Sequence, residues 1–335
     1  MTPTPDLTGL VEAAPGASAV TLAVARGGTH DVYCHGRLSH GGRPNTPETA
    51  YEIGSVTKTF TALLLAELAA QGRLGLHDPI DAHLPPQHRP TPPHGTRITL
   101  LHLATHTSGL PRLPPGLLAR ALPTYFTNPY ARYLTRHFHR DLRRTRTRRP
   151  PGSRLAYSNY GMALLGHTLT QATVADYPAL LAEHLCRPLG LTSTTCGPAP
   201  AGQATGHRGD KPLPPFEIPA LPAAGAVRST GPDLLRYLQA LLTPADTPMA
   251  AALHTVQQPR LRVPRSQDRL CLAWNLREAD GRTILFHSGA TRGFTAFTGL
   301  CPQSGTAVAA LANTGPRSDG RFVRTAYALL KQLDT

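Results

Sequence analysis

Residues 52–69 read EIGSVTKTFTALLLAELA, a serine three places ahead of a lysine with an apolar run after both. At i and i+3 on a helix, Ser55 and Lys58 would share one face in adjacent turns. With Ser55 in the first turn, unpaired backbone N–H groups and the positive end of the helix dipole would face the same space, where an oxyanion can be stabilised. The following run is apolar on nearly every side, which predicts a buried helix over about 56–71. Lys58 stands out because the chain has three lysines against thirty-one arginines. A buried lysine can lose its proton, whereas arginine cannot at ordinary pH, so a Ser-x-x-Lys pair can serve as nucleophile and proton acceptor. This is the chain's one Ser-x-x-Lys, since Arg208 and Ala328 precede the other lysines at that offset. The plainer reading is a serine that caps the helix and a lysine in solvent.

Outward from this helix, strand signals lie at both chain ends. SAVTLAVAR (18–26) and HDVYCH (30–35) are β-branched-rich runs separated by Gly-Gly, which predicts a hairpin. LAWNLRE, RTILFHS, FTAFTGLCP and GTAVAALAN follow after about residue 270, and a last helix is expected over about 319–333. Between them, proline-rich punctuation such as LPPQHRPTPPHG separates helical stretches at about 128–142 and 160–172, with another amphipathic helix at 231–242. The expected fold is α/β (α+β): one antiparallel sheet built from both chain ends and flanked by helices, with an all-α lobe inserted. Residues 1–77 and 223–335 would form the sheet lobe and 78–222 the mostly helical one.

A chain of 335 residues accommodates about two such lobes, and 40% hydrophobic content fits a globular protein. Its apolar runs, such as ALLLAELAA, fall far short of the roughly 18 residues of a membrane span, so no membrane helix is expected. The N-terminal stretch has neither a basic region nor a continuous apolar one, and is read as the mature start of a cytoplasmic protein. Cys34, Cys186, Cys196, Cys271 and Cys301 are odd in number and scattered, with no Cys-x-x-Cys, against both a disulfide framework and a zinc knuckle. The net charge of +14 raises the question of an acidic partner. Its densest source, HRDLRRTRTRR at 139–149, carries six arginines and no interleaved aromatics, so it is read as a solvated face rather than a nucleic-acid site.

Two further stretches carry chemistry. PGSRLAYSNYGMALLG (151–166) contains the chain's single Tyr-x-Asn, and a helical pattern starts at about Tyr160. A loop ending there can present the Tyr157 phenol for proton transfer and the Asn159 amide for a substrate carbonyl. Alternatively, the tyrosine packs the loop and the asparagine caps the helix. ILFHSGATRGFTAF (284–297) ends a predicted strand at His287-Ser288-Gly289, where the glycine would let a substrate backbone approach the strand edge and the His and Ser side chains could donate hydrogen bonds.

In this order, on helix start, loop and strand, the three patterns resemble the serine β-lactamase and penicillin-binding protein superfamily, most closely its class C β-lactamase and esterase branch. GSVTKTFTA, ITLLHLATHTSGLP, PGSRLAYSNYGMALLGH, HSGATRGFTAF and AALANTG extend the likeness over about residues 48–315. The resemblance implies a β-lactamase/transpeptidase-like fold with the site between the two lobes. It also implies that Ser55 attacks an acyl carbon to form an ester-linked acyl-enzyme, with Lys58 and Tyr157 sharing the general base and acid duties. The N–H groups of Ser55 and Ala290 would form the oxyanion hole and Asn159 would hold a substrate amide or carbonyl. His287 departs from the family's usual lysine. An imidazole of pKa about 6.5 is mostly neutral at pH 7, and activity on anionic substrates should improve below that value if it contacts them.

The expected protein is therefore a serine acyl hydrolase without metal or cofactor, acting as an esterase or transacylase on a small-molecule acyl substrate. A β-lactamase, or a D-amino-acid amidase or carboxypeptidase, is the alternative within the same chemistry and would need another cation, such as Arg292. A non-catalytic protein that uses the cleft to bind a ligand is the alternative from another class. No Gly-x-Ser-x-Gly supports an α/β-hydrolase, and His102 and His106, although at i and i+4, lack the glutamate of a metalloprotease.

Overall fold

The computed structural model describes residues 7–333 apart from 148 and 280. Eight antiparallel strands form the main sheet: β1 (Ala19–Arg26), β2 (Thr29–Gly36), β3 (Leu261–Arg262), β4 (Arg269–Leu270), β5 (Asn275–Ala279), β6 (Arg282–Ala290), β7 (Thr295–Cys301) and β8 (Thr306–Ala312). The spatial order is β2-β1-β8-β7-β6-β5-β4-β3, so the two chain ends meet where β1 pairs with β8, Val20 opposite Ala312.

Strand periodicity divides the core in two. Ala19, Ala23 and Ala25 of β1, with Ala307, Ala309 and Leu311 of β8, face a core that includes the helix Thr57–Ala70 and Leu234 and Leu238 of the helix Gly231–Leu242. Their neighbours Val20, Leu22, Val24, Val308 and Ala310 face Phe322, Leu329 and Leu330 of the C-terminal helix Arg321–Leu333 and Leu10 of the short helix Leu7–Glu12. Side chains alternate across a strand with period two, so a sheet covered on both faces favours apolar residues on either side of each strand. The alanine and valine runs of β1 and β8 supply them.

The helix Thr57–Ala70 buries eleven of its fourteen residues. Its buried hydroxyls are all spent locally or across the packing: Thr59 donates to Val56 O at 2.8 Å, and Thr61 donates to Ala223 O at 2.7 Å. Left unpaired, each would cost about 1–3 kcal/mol. Between residues 78 and 222 the described elements are helices, turns and one short hairpin, Gly206–Arg208 with Lys211–Leu213.

Several boundaries differ from the sequence reading. The stretch expected to be helical from 128 starts at Thr135. Asn128 stops it, because its Oδ1 accepts from Tyr130 N at 2.9 Å and its Nδ2 donates to Glu217 O at 2.6 Å, holding the preceding segment as a turn. The helices Leu7–Glu12 and Ala250–Gln257 and the two-residue strands β3 and β4 had no expected counterpart. Two residues are too few to display a period of two. No described helix is long and apolar enough to cross a membrane.

Candidate active site

Ser55 occupies a 3-10 turn, Gly54–Val56, that runs directly into the helix Thr57–Ala70. Gly54 has φ +50°, and a Cβ there would stand 2.5 Å from the Ala290 carbonyl oxygen. A Cβ on Gly289 would collide with the Ile53 carbonyl and lie 2.9 Å from Ser55 N. These two glycines let the end of β6 press its backbone against the turn that carries the serine. Ser55 and Ala290 consequently line the same narrow pocket, of about 50 Å³.

The Lys58 side chain is fully buried, and its Nζ donates to the Ala224 carbonyl at 2.6 Å and to Ser55 Oγ at 2.9 Å. Tyr157 Oη lies 2.7 Å from the same Ser55 Oγ, and Lys58 Nζ is 4.9 Å from the Tyr157 ring centroid. Burial pulls the lysine below the ordinary ammonium range, against the opposing pull of Tyr157. Burial also works to raise the Tyr157 phenol, but the charge and hydrogen bond of Lys58, the hydrogen bond of Ser55 and the charge of Arg112 outweigh it and hold the phenol below its usual value. Both shifts bring an amine and a phenol closer to sharing one proton beside a hydroxyl.

The loop that delivers Tyr157 is held from two sides. Ser158 caps the helix Asn159–Thr173: its Oγ accepts from Gly161 N at 2.8 Å and donates to Pro111 O at 2.7 Å. His106 binds the loop twice, accepting Ser158 N–H at Nδ1 (3.3 Å) and Ala156 N–H at its carbonyl (2.8 Å). The residue has φ +57°, a conformation costly for a side chain of this size, and its ring centroid is 4.6 Å from that of Tyr157. Its pKa is pushed down to about 3, first by burial and then by the charges of Lys58 and His287, so it is a neutral acceptor. His102 takes a different role, with Nδ1 accepting from Thr99 N at 3.1 Å at a helix start.

Asn159 stands at the first position of that helix rather than at its cap. Its Nδ2 donates to Tyr130 Oη at 3.2 Å, while Oδ1 is buried without a partner among the described residues. Rotating the amide exchanges the two atoms, so either orientation leaves one polar atom for a substrate group. Phe216, Ile218 and Leu221 make the rest of the pocket wall apolar. Beneath it, the Glu52 carboxylate accepts from Phe216 N at 2.7 Å and Thr291 Oγ1 at 2.7 Å, tying that wall to the residue after Ala290.

His287 requires a correction. It was expected to titrate near neutrality against substrate, but it is 6% exposed, and burial first, then the charge of Lys58, push its pKa down to about 3. The imidazole therefore stays neutral from neutrality down to about pH 4, and no gain on anionic substrates just below pH 6.5 follows from it. Its Nδ1 has no partner among the described residues. Along β6, His287 and Gly289 alternate with Ser288, which pairs in register with Phe297 of the opposite core. His287, Ser288, Gly289 and Arg292 are not among the residues lining the pocket, whereas Ser55, Asn159 and Ala290 are. Arg292 instead lays its guanidinium 5.1 Å from the centroid of the Tyr125 ring, and Arg112 lies 5.2 Å from that of Tyr157.

Sequence reasoning missed His106, Arg112, Tyr130 and the Ala224 carbonyl. His106 and Arg112 lie in or beside the THTSGLP stretch already singled out, which was the available signal; Tyr130 and Ala224 had none.

Comparison with known proteins follows the same lines. The profile of a family described as Beta-lactamase matches residues 7–332. The chain is similar to the D-alanyl-D-alanine-carboxypeptidase/endopeptidase AmpH of Escherichia coli (strain K12), at 31% identity over 86% of this chain and 77% of that protein. It is also similar to a Beta-lactamase of Pseudomonas fluorescens, at 26% identity over 94% of this chain and 93% of that protein. Protein flp of Staphylococcus aureus (strain MW2) is 27% identical over 80% of this chain and 53% of its own length.

Proposed function

Because the chain belongs to the beta-lactamase family of serine hydrolases, we propose that it forms an acyl-enzyme on Ser55 and acts as an esterase, or as a transacylase, on a small-molecule acyl substrate. The observation that carries this reading is the convergence of Lys58 Nζ and Tyr157 Oη on Ser55 Oγ, at 2.9 and 2.7 Å, with Ser55 itself lining a narrow, largely apolar pocket.

In the proposed reaction the Lys58–Tyr157 pair accepts the Ser55 proton as Oγ attacks the acyl carbon. In this reading the charge developing on the carbonyl oxygen is met by the N–H groups of Ser55 and Ala290, whose backbones pack closely because Gly54 abuts Ala290 and Gly289 abuts the Ser55 turn. The proton then passes to the leaving alkoxide, and water or another nucleophile, activated by the same pair, releases the acyl group. Phe216, Ile218 and Leu221 suit a short apolar acyl chain, with Asn159 contacting a polar group beside it. The neutral His287 supplies no ammonium for a substrate carboxylate, which favours an ester over a penicillin or a peptide terminus.

A second reading, β-lactam or D-alanyl peptide hydrolysis, is favoured by the named relatives and by Arg112 and Arg292 as alternative cations. Comparing kcat/KM on p-nitrophenyl esters of increasing chain length with that on a cephalosporin and a D-alanyl-D-alanine peptide tests the choice. Highest values on the short esters are expected; faster turnover of the β-lactam or peptide would replace the esterase reading with the second one.

A further inference from the structure

The arginine-rich run and the loop before Tyr157 together enclose a cavity of about 750 Å³, far larger than the pocket of about 50 Å³ at Ser55. Arg144, Arg146 and Arg149 line it together with Ser153 and Arg154. Arginine supplies four of its ten lining residues, although fewer than one residue in ten of the chain is arginine, so coding bias does not account for the concentration.

Among the described residues no carboxylate lines this cavity, and none of the four guanidinium groups has an ion-pair partner. Asp141, the one acid of the run, is turned inward: it accepts from Tyr133 Oη at 2.9 Å and Gly116 N at 3.2 Å, and it pairs with Arg140 at 3.3 Å. Thr147 Oγ1, buried and without a partner among the described residues, packs beside Gly109 on the wall. Four like charges around one concavity repel one another unless an anion sits between them. Guanidinium groups meet phosphate oxygens bidentately, and the volume falls within the roughly 300–1,000 Å³ of small-molecule sites.

We propose that this cavity binds a small polyanion bearing two or more phosphate groups. A single-stranded nucleic acid fits less well, because among the described residues no aromatic side chain lines the cavity to stack a base. The site is separate from the serine chemistry and does not depend on it, although Ala156 on its wall adjoins Tyr157.

Calorimetric titration of the full chain with inorganic tripolyphosphate, at about 0.15 M salt, tests the proposal. One equivalent should bind, with affinity reduced about tenfold or more in Arg146→Gln/Arg149→Gln. Affinity should stay within about twofold in Ser55→Ala and in the charge-matched control Arg73→Gln/Arg262→Gln. Absence of binding, or equal weakening in both double variants, would overturn a built site. Tight, steeply salt-dependent binding of duplex DNA with none of tripolyphosphate would overturn it in favour of a nucleic-acid surface.

Discussion

Two cationic regions of this chain differ in every physical respect. Lys58 is wholly buried, and its ammonium is committed to the Ser55 hydroxyl and the Ala224 carbonyl. Arg144, Arg146, Arg149 and Arg154 are exposed around a cavity that no acid lines among the described residues. A charge buried among few partners has its proton equilibrium altered; a charge left in water acts on ions within about a Debye length. The difference teaches that the kind of cation, and not the amount of positive charge, separates the place suited to proton transfer from the place suited to holding an anion.

Exchanging the cation types breaks the comparison most directly. Lys58→Arg should lower kcat/KM for an ester by roughly 10³-fold, because arginine cannot accept the serine's proton. Arg146→Lys/Arg149→Lys should leave kcat/KM unchanged, and comparable losses from both exchanges would erase the distinction. Next in size is Gly54→Ala. The φ of +50° and the Ala290 carbonyl at 2.5 Å leave no room for a methyl group. A stability loss of about 2 kcal/mol and a roughly 10²-fold fall in kcat/KM are expected, read by thermal melting and by steady-state kinetics.

Two buried histidines and the half-buried His167 sharpen the contrast through pH. His106 and His287 are held at about 3 and His167 at about 4, burial being the largest cause in each. All three lie below the unfolded value of about 6.5, so the unfolded chain binds more protons once the pH drops below it. Stability should be full above about pH 6.5 and fall on acidification by about 1.4 kcal/mol per pH unit for each histidine. His287→Gln should remove one histidine's share of that slope in melts between pH 4 and 6.5, and an unchanged slope would contradict its neutral burial. The smallest effect belongs to the exposed region: Arg146→Gln/Arg149→Gln should raise stability by a few tenths of a kcal/mol at low salt and by nothing at about 1 M.

Legibility in the sequence followed the range of the interactions. Ser55 and Lys58 were readable because their spacing is local and lysine is rare, and β1 and β8 because a doubly covered strand is apolar at most positions. The fold class could be read from the placement of those strands at opposite chain ends. What escaped was set by contacts across many residues: Ala224 under Lys58, His106 behind Tyr157, Tyr130 on Asn159. His287 was visible as a residue, but its neutrality comes from its surroundings. Asn128, whose side chain binds Glu217 O, held back a helix that local periodicity favoured.

The most direct test is intact-protein mass spectrometry after brief mixing with a short-chain aryl ester, with the adduct mapped by peptide analysis in the unmodified chain and in Ser55→Ala. A single acyl mass on the peptide carrying Ser55, absent from Ser55→Ala together with turnover, is the predicted result. Turnover of the ester that persists in Ser55→Ala, or an adduct on another residue, would contradict nucleophilic catalysis by Ser55.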